Sequence, residues 1–331
     1  MMLEPELYFR RETFAAERSR VLRETWQFIA HESQLPNAGD YVADVIGGAP
    51  VLVVRAADGR VAGFHNVCRH RAGALVADGA GHCGLELTCR YHGWRYGLDG
   101  RLRAAVDFGP ADGFDAREYG LLAIRVETWR GLVFVHLGRD DKTLSAALEP
   151  LASRWPDGMT RLPRVERRHH TIGCNWKTYV ENYLEGYHLP MVHPEFDADI
   201  VVADYRTEIE GDMVFATAPA RDSSVYGGVW GWLWPNLGIN VYRHGYMIER
   251  MTPVGPAETR LDYLYFFDPA LTQDLAAMLR VSDLVTAQDL RVCEEVQRNL
   301  EAGVYRPGVL SPRHETGVAW FQARVGAIHK V

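Results

Sequence analysis

Asn182-Tyr-Leu-Glu185-Gly-Tyr-His188-Leu-Pro190-Met-Val-His193 sets one carboxylate and two imidazoles close together, then interrupts the chain with Pro190 and Pro194. The spacing predicts a helix from Asn175 to Leu189, with Trp176, Val180, Tyr183 and Tyr187 on one stripe. Glu185 and His188 are three apart and so share a face. At Pro190 a helix must distort or end, which lets His193 swing back toward His188.

A third donor comes from a long helix predicted from about residue 270 or 273 to 302, after Pro269 and with Thr272 as a possible cap. Its apolar stripe is Val281, Val285, Cys293, Val296 and Leu300, and Asp289 falls in the middle of it. An isolated buried carboxylate is very costly, so it must be paired, protonated or bound to metal. Two His and one Asp make the facial triad of non-haem Fe(II) oxygenases, with open positions for O₂ and substrate. Taken without Asp289, the two imidazoles read more readily as ordinary core histidines than as metal ligands.

Upstream, Cys68-Arg-His70 and Cys89-Arg-Tyr-His92 present two thiolates and two imidazoles. With this composition, both spacings occurring together by chance is expected roughly 0.04 times. Zinc takes such a donor set. So does a Rieske [2Fe–2S] centre, in which two His replace two Cys on one iron. Each loop offers one Cys and one His, followed by Gly73 or by Gly93-Trp94, and that favours the cluster. The odd cysteine count argues against a disulfide framework. Cys83, Cys174 and Cys293 read as small buried hydrophobes; His65 and His82 lie off the motif.

These pairs stand beside Asn175-Trp-Lys177, Glu181-Asn-Tyr-Leu-Glu-Gly-Tyr-His188, His193, and Asp289 in Gln288-Asp-Leu-Arg-Val-Cys-Glu-Glu-Val-Gln297. Together they resemble the α subunit of Rieske-type non-haem iron oxygenases, over nearly the whole chain. At 331 residues the chain is short for that family, which implies trimmed loops. The resemblance implies a [2Fe–2S] cluster on Cys68, His70, Cys89 and His92, and mononuclear Fe(II) on His188, His193 and Asp289. It implies O₂ as co-substrate and NAD(P)H electrons arriving through a separate flavin/iron–sulfur reductase. It implies a homotrimer in which Glu185 joins the cluster of one subunit to the iron of the next, with Asn182 close to that iron. Most members have Asp where Glu185 stands. Glu is similar to the branch acting on choline, glycine betaine, carnitine and proline betaine; the other reading is a neutral length variant. The expected activity is hydroxylation or oxidative N-demethylation of a small quaternary-ammonium substrate. The alternatives are attack on an aromatic ring or aryl methyl ether, and a Rieske electron carrier without oxygenase activity.

The expected fold is α+β. Residues 1–34 read as a helical segment packing on the catalytic domain, 35–140 as an all-β Rieske domain, and 141–331 as a helix-grip domain whose antiparallel sheet wraps the late helix. Hairpin signals stand at Asp58-Gly59 and Asp99-Gly100. Residues 303–331, with Gly303, Pro307, Gly308 and Pro312, read as a loop-rich wrap. Trp230, Trp232 and Trp234 share one face if they lie on a strand, with Tyr242 soon after. Such rings fit a cationic substrate by cation–π attraction, an aromatic substrate, or simply a core. Glu249 and Arg250 are candidates for a polar substrate end.

A net charge of −7 without a basic block lacks the footprint of a nucleic-acid binder. No uncharged apolar run is long enough to span a bilayer, and the acidic N-terminus does not resemble a signal peptide. A cytoplasmic protein is expected.

Overall fold

The computed structural model describes residues 2–195, 200–221 and 227–329, apart from the side chains of residues 272–274. The chain forms two compact units. One is Arg18–Leu144; the other joins Met1–Glu17 to Ser145–Val331.

The Arg18–Leu144 unit is built of ten strands: β1 (Gln27–His31), β2 (Asp40–Ile46), β3 (Ala49–Arg55), β4 (Val61–His65), β5 (Gly79–His82), β6 (Glu86–Thr88), β7 (Arg95–Gly97), β8 (Leu102–Ala104), β9 (Arg125–Trp129) and β10 (Leu132–His136). They form three antiparallel sheets, ordered β1-β10-β9, β4-β3-β2-β5 and β6-β7-β8. β3 lies between two cores. Leu52 and Val54 feed one and Val51 and Val53 feed the other, so its apolar run is continuous rather than alternating. Both hairpin signals turn the chain as expected: Asp58-Gly59 joins β3 to β4, and Asp99-Gly100 joins β7 to β8. Gly100 is required twice over. Its φ is +80°, and a Cβ there would meet the Phe64 ring at 2.4 Å.

The helix expected over residues 1–34 is much shorter. α1 (Arg11–Glu17) runs into a π-helical turn that ends at Leu22, and Gln27–His31 is strand β1. Every residue of β1 is buried, with Phe28 edge-on to Phe134 at 5.8 Å. Pairing with β10 overrides the weak helical period there.

The second unit carries α1, α2 (Leu144–Ala152), β11 (Arg164–Ile172), α3 (Trp176–Tyr183), α4 (Leu189–Val192), β12 (Arg206–Glu210), β13 (Met213–Ala218), β14 (Gly228–Leu233), β15 (Leu237–Tyr242), β16 (Gly245–Gly255), β17 (Glu258–Phe267), α5 (Thr272–Glu301) and α6 (Thr316–His329). Among the described residues its strands form one antiparallel sheet, ordered β11-β17-β16-β15-β14-β13-β12. α3 packs on α5, on β16 and on α6. The expected α+β class is the one observed. The Thr272 side chain, a candidate cap, lies outside the described residues.

Two details differ from the sequence reading. On α5, Val296 is 41% exposed, and the buried face is Thr286, Asp289, Cys293, Gln297 and Leu300. Gln297 replaces Val296 because its amide has partners, accepting from the Asn175 N–H (2.9 Å) and donating to the Tyr8 carbonyl (3.3 Å). The tail is not all loop, since α6 occupies 316–329 and buries Val318, Phe321 and Val325. The Gly and Pro signals all precede Thr316.

A buried ion pair ties α1 to α3. Lys177 Nζ lies 2.7 Å from Glu17 Oε1, Trp176 Nε1 donates to Glu17 Oε2 at 2.8 Å, and His329 of α6 approaches at 3.2 Å. Among the described residues no helix is long and apolar enough to cross a membrane.

Candidate metal centres and substrate cavity

α3 starts where Asn175 caps it, the side chain accepting the Lys177 N–H at 3.0 Å. It stops at Tyr183, short of the predicted Leu189. Glu185 causes the break. Its Oε2 accepts the backbone N–H of Tyr187, and that of His188 at 3.2 Å, drawing these donors to a side chain instead of helix carbonyls. Glu185 and His188 therefore sit in a bend, and Tyr187 is 59% exposed rather than part of the buried stripe. Pro190 opens the short α4, and His193 follows it.

This bend and turn bring His188 and His193 together, with ring centroids 5.2 Å apart. Asp289 reaches in from α5. Its Oδ1 lies 2.9 Å from His193 Nε2 and 3.7 Å from His188 Nε2. One donor atom from each of the three falls within 4.8 Å of the others. Asn182 Nδ2 donates to Asp289 Oδ1 at 2.8 Å.

Each imidazole is held from behind. His188 Nδ1 lies 2.5 Å from Glu185 Oε1. His193 Nδ1 lies 2.6 Å from Gln288 Oε1, and Gln288 Nε2 donates to Glu195 Oε1 at 2.7 Å. A hydrogen bond at Nδ1 fixes the tautomer that leaves the Nε2 lone pair free for a metal. Burial lowers the His193 pKa, but the hydrogen bond and charge of Asp289 outweigh it and the net shift is upward. This donor set fits a 2-His-1-carboxylate metal. Gln288 and Glu195 were not singled out in the sequence; the only pointer was the position of Gln288 beside Asp289.

The two Cys/His loops repeat one geometry. In the first, the Cys68 N–H donates to the Gly73 carbonyl (2.8 Å) and the Ala72 N–H to the Cys68 carbonyl (3.0 Å). In the second, Cys89 donates to Trp94 (2.9 Å) and Gly93 to Cys89 (3.0 Å). Ala72 and Gly93 occupy the equivalent left-handed positions, with φ of +56° and +70°. Cys68 and Cys89 are buried, and Cys68 Sγ lies 3.2 Å from the Tyr96 hydroxyl. Burial pushes the Cys89 thiol up, with Cys68 adding to the effect. The rings of His70 and His92 are 4.6 Å apart, and His70 stacks on Trp94 at 4.9 Å. His70 Nδ1 is buried with no hydrogen-bond partner. At Gly73 a Cβ would come within 3.0 Å of Cys89 Sγ. An orphaned imidazole nitrogen, two buried thiols and a glycine cradle fit a [2Fe–2S] cluster. His92 is exposed.

A cavity of about 140 Å³ opens onto His188, His193 and Asp289. Asn182, Trp230, Tyr242 and Glu249 line it. Trp232 and Trp234 do not; they pack against Trp320 and Phe321 of α6. Arg250 is absent from the lining as well: it is buried opposite Asp262 on β17.

The family description "Rieske [2Fe-2S] domain" matches residues 25–115. "Ring hydroxylating alpha subunit (catalytic domain)" matches residues 159–212 and 204–330. The choline monooxygenase of Arabidopsis thaliana is 30% identical over 319 residues, covering 89% of this chain and 75% of that protein. The carnitine monooxygenase oxygenase subunit of Escherichia coli K12 is 30% identical over 318 residues, covering 90% and 84%. A solved quaternary ammonium Rieske monooxygenase, described in connection with carnitine oxidation and inter-subunit electron transfer, superposes with a TM-score of 0.90 at 27% identity, over 99% of this chain and 95% of that one. The two matched domains imply a Rieske cluster and a mononuclear iron, and the donor sets described above suit them. The chain belongs to the ring-hydroxylating α-subunit family and is a Rieske non-haem iron oxygenase.

Proposed function

We propose that this oxygenase acts on a small ammonium compound, hydroxylating a C–H bond near its nitrogen. On an N-methyl group that reaction yields the demethylated amine and formaldehyde. In this reading Cys68, His70, Cys89 and His92 hold the cluster in the Arg18–Leu144 unit. His188, His193 and Asp289 hold the iron in the other unit. When bound, these groups supply one-electron reduction and O₂ activation.

The chain's own residues do the rest. Glu185 and Gln288 fix the two imidazole rings. Asn182 holds the Asp289 carboxylate by one oxygen. Trp230 and Tyr242 present aromatic surface to the cavity, suited to an ammonium group by cation–π attraction. A separate reductase delivers NAD(P)H electrons, and Glu185 links His188 to the exposed His92 of a neighbouring subunit in a homotrimer. The working location is the cytoplasm.

The observation that carries this reading is the convergence of His188, His193 and Asp289 on an aromatic-lined cavity. The relatives that act on choline and carnitine support the substrate class. The test is iron-loaded protein with a reductase, offered ammonium and aromatic compounds and scored by coupled product. Turnover of ammonium compounds supports the reading, and turnover of aromatics alone contradicts it.

A further inference from the structure

Glu249 is an unusual lining residue. It sits on β16, 4% exposed, with its side chain on the cavity. Tyr179 donates to its Oε1 at 2.7 Å, and the Tyr179 and Tyr263 hydroxyls are themselves 2.7 Å apart. Among the described residues no cationic side chain meets this carboxylate. Arg250, its neighbour in sequence, stands opposite Asp262 in the strand register, and its charge helps lower that carboxyl. Two phenols are weak compensation for a buried charge. Burial therefore pushes the Glu249 carboxyl up to about 7, with Tyr179 opposing the shift and Asp289 adding to it.

The rest of the wall points the same way. The described lining contains Glu249, Glu185 and Asp289 and no Lys or Arg. Residues 196–199 and 222–226 contain no Lys, Arg or His in their sequence either. The other polar lining groups include Asn240, Ser282 and Thr286, all neutral. An ammonium group would find a carboxylate here, but a carboxylate tail would find no Lys or Arg, and the two lining imidazoles, His188 and His193, are the candidate metal donors.

Resting on the reading proposed above, we infer that Glu249 is the anionic subsite for the substrate nitrogen. The preferred substrate is then a net cation, an amine or quaternary ammonium with a neutral or hydroxylated tail, rather than a zwitterion with a carboxylate. Glu249 acts as a specificity residue; Trp230 and Tyr242 serve any ammonium group alike.

The test is calorimetry on the anaerobic, metal-loaded enzyme with three probes: choline, its neutral tert-butyl analogue, and L-carnitine. The wild type should bind choline tighter than the neutral analogue by roughly 10- to 100-fold, the scale of a charge pair about 6–12 Å apart at an effective dielectric of about 20. It should bind L-carnitine more weakly than choline. Glu249→Gln should cut the preference for the cation by about 10-fold or more, leaving the share that Trp230 and Tyr242 give by cation–π attraction, while still binding the neutral analogue, which reports an intact cavity. Glu249→Asp should retain the preference.

An unchanged cation preference in Glu249→Gln overturns the role of Glu249. Equal binding of L-carnitine and choline by the wild type overturns the exclusion of zwitterions. If Glu249→Gln loses all binding, Glu249→Asp decides: retained preference supports the subsite and lost preference overturns it. A wild type that binds no ammonium compound but turns over aromatics overturns the parent reading and this inference together. Ammonium turnover with a preference indifferent to Glu249 removes this inference alone.

Discussion

Glu185 Oε1 lies 2.5 Å from His188 Nδ1, while the other oxygen of the same carboxylate accepts the His188 backbone N–H at 3.2 Å. One side chain thus sets both the ring and the backbone of a candidate metal ligand. Replacing Glu185 with Ala should leave cluster and iron bound. It should uncouple cluster reduction from product and lower coupled turnover by about 10- to 100-fold, as for other partners of metal-bound histidines. Rapid-mixing reduction of the cluster alongside product assay checks this, and unchanged turnover contradicts it.

Asp289 is the carboxylate that both Nε2 atoms face, and Asn182 holds it from the side. Asp289→Ala should lose about one iron per chain, since two imidazoles alone hold Fe(II) poorly. The cluster spectrum should be unaffected. Iron and sulfide analysis on the same sample measures both.

Lys177 and Glu17 are a fully buried pair, and breaking such a pair strands the remaining charge. Lys177→Met should destabilise the unit that holds them by about 3–5 kcal/mol. Adding Glu17→Gln should recover much of the loss, because no bare charge remains. Chemical denaturation of the single and double variants tests this; a smaller loss in the single variant than in the double contradicts it.

Glu181 gives a pH signature. Burial lifts its carboxyl from an ordinary 4.5 to about 7, against opposing hydrogen bonds from Tyr8 (2.6 Å) and Gln322 (3.1 Å) and the Lys177 charge. The folded pKa is raised, so its stability contribution is full below about 4.5 and is lost as pH rises through about 7. The loss is on the order of 3 kcal/mol at most. Glu181→Gln should flatten the stability profile between these limits relative to wild type, as read by denaturation at stepped pH.

The legible parts of the fold were those with local causes. Asp58-Gly59 and Asp99-Gly100 turn their hairpins because the φ they need is a glycine property. Asp289 stood out because a carboxylate amid an apolar stripe demands a partner. The parts that were not legible depend on distant residues. Gln27–His31 becomes a strand only because β10 offers it a ladder. The break after Tyr183 depends on where the Glu185 carboxylate turns. Trp230 reaches the cavity and Trp232 does not because α6 covers the latter, and α6 itself was hidden behind loop signals that end before it begins.

The most direct test of two cooperating metal centres on one polypeptide is a single turnover without reductase. The protein is loaded with iron, its cluster is reduced chemically, and the excess reductant is removed. It is then mixed with O₂ and choline. The account predicts roughly three irons per chain, a Rieske-type EPR signal before mixing, and loss of that signal in step with product. A protein that carries zinc alone, or whose cluster oxidises with no product from either ammonium or aromatic compounds, contradicts it.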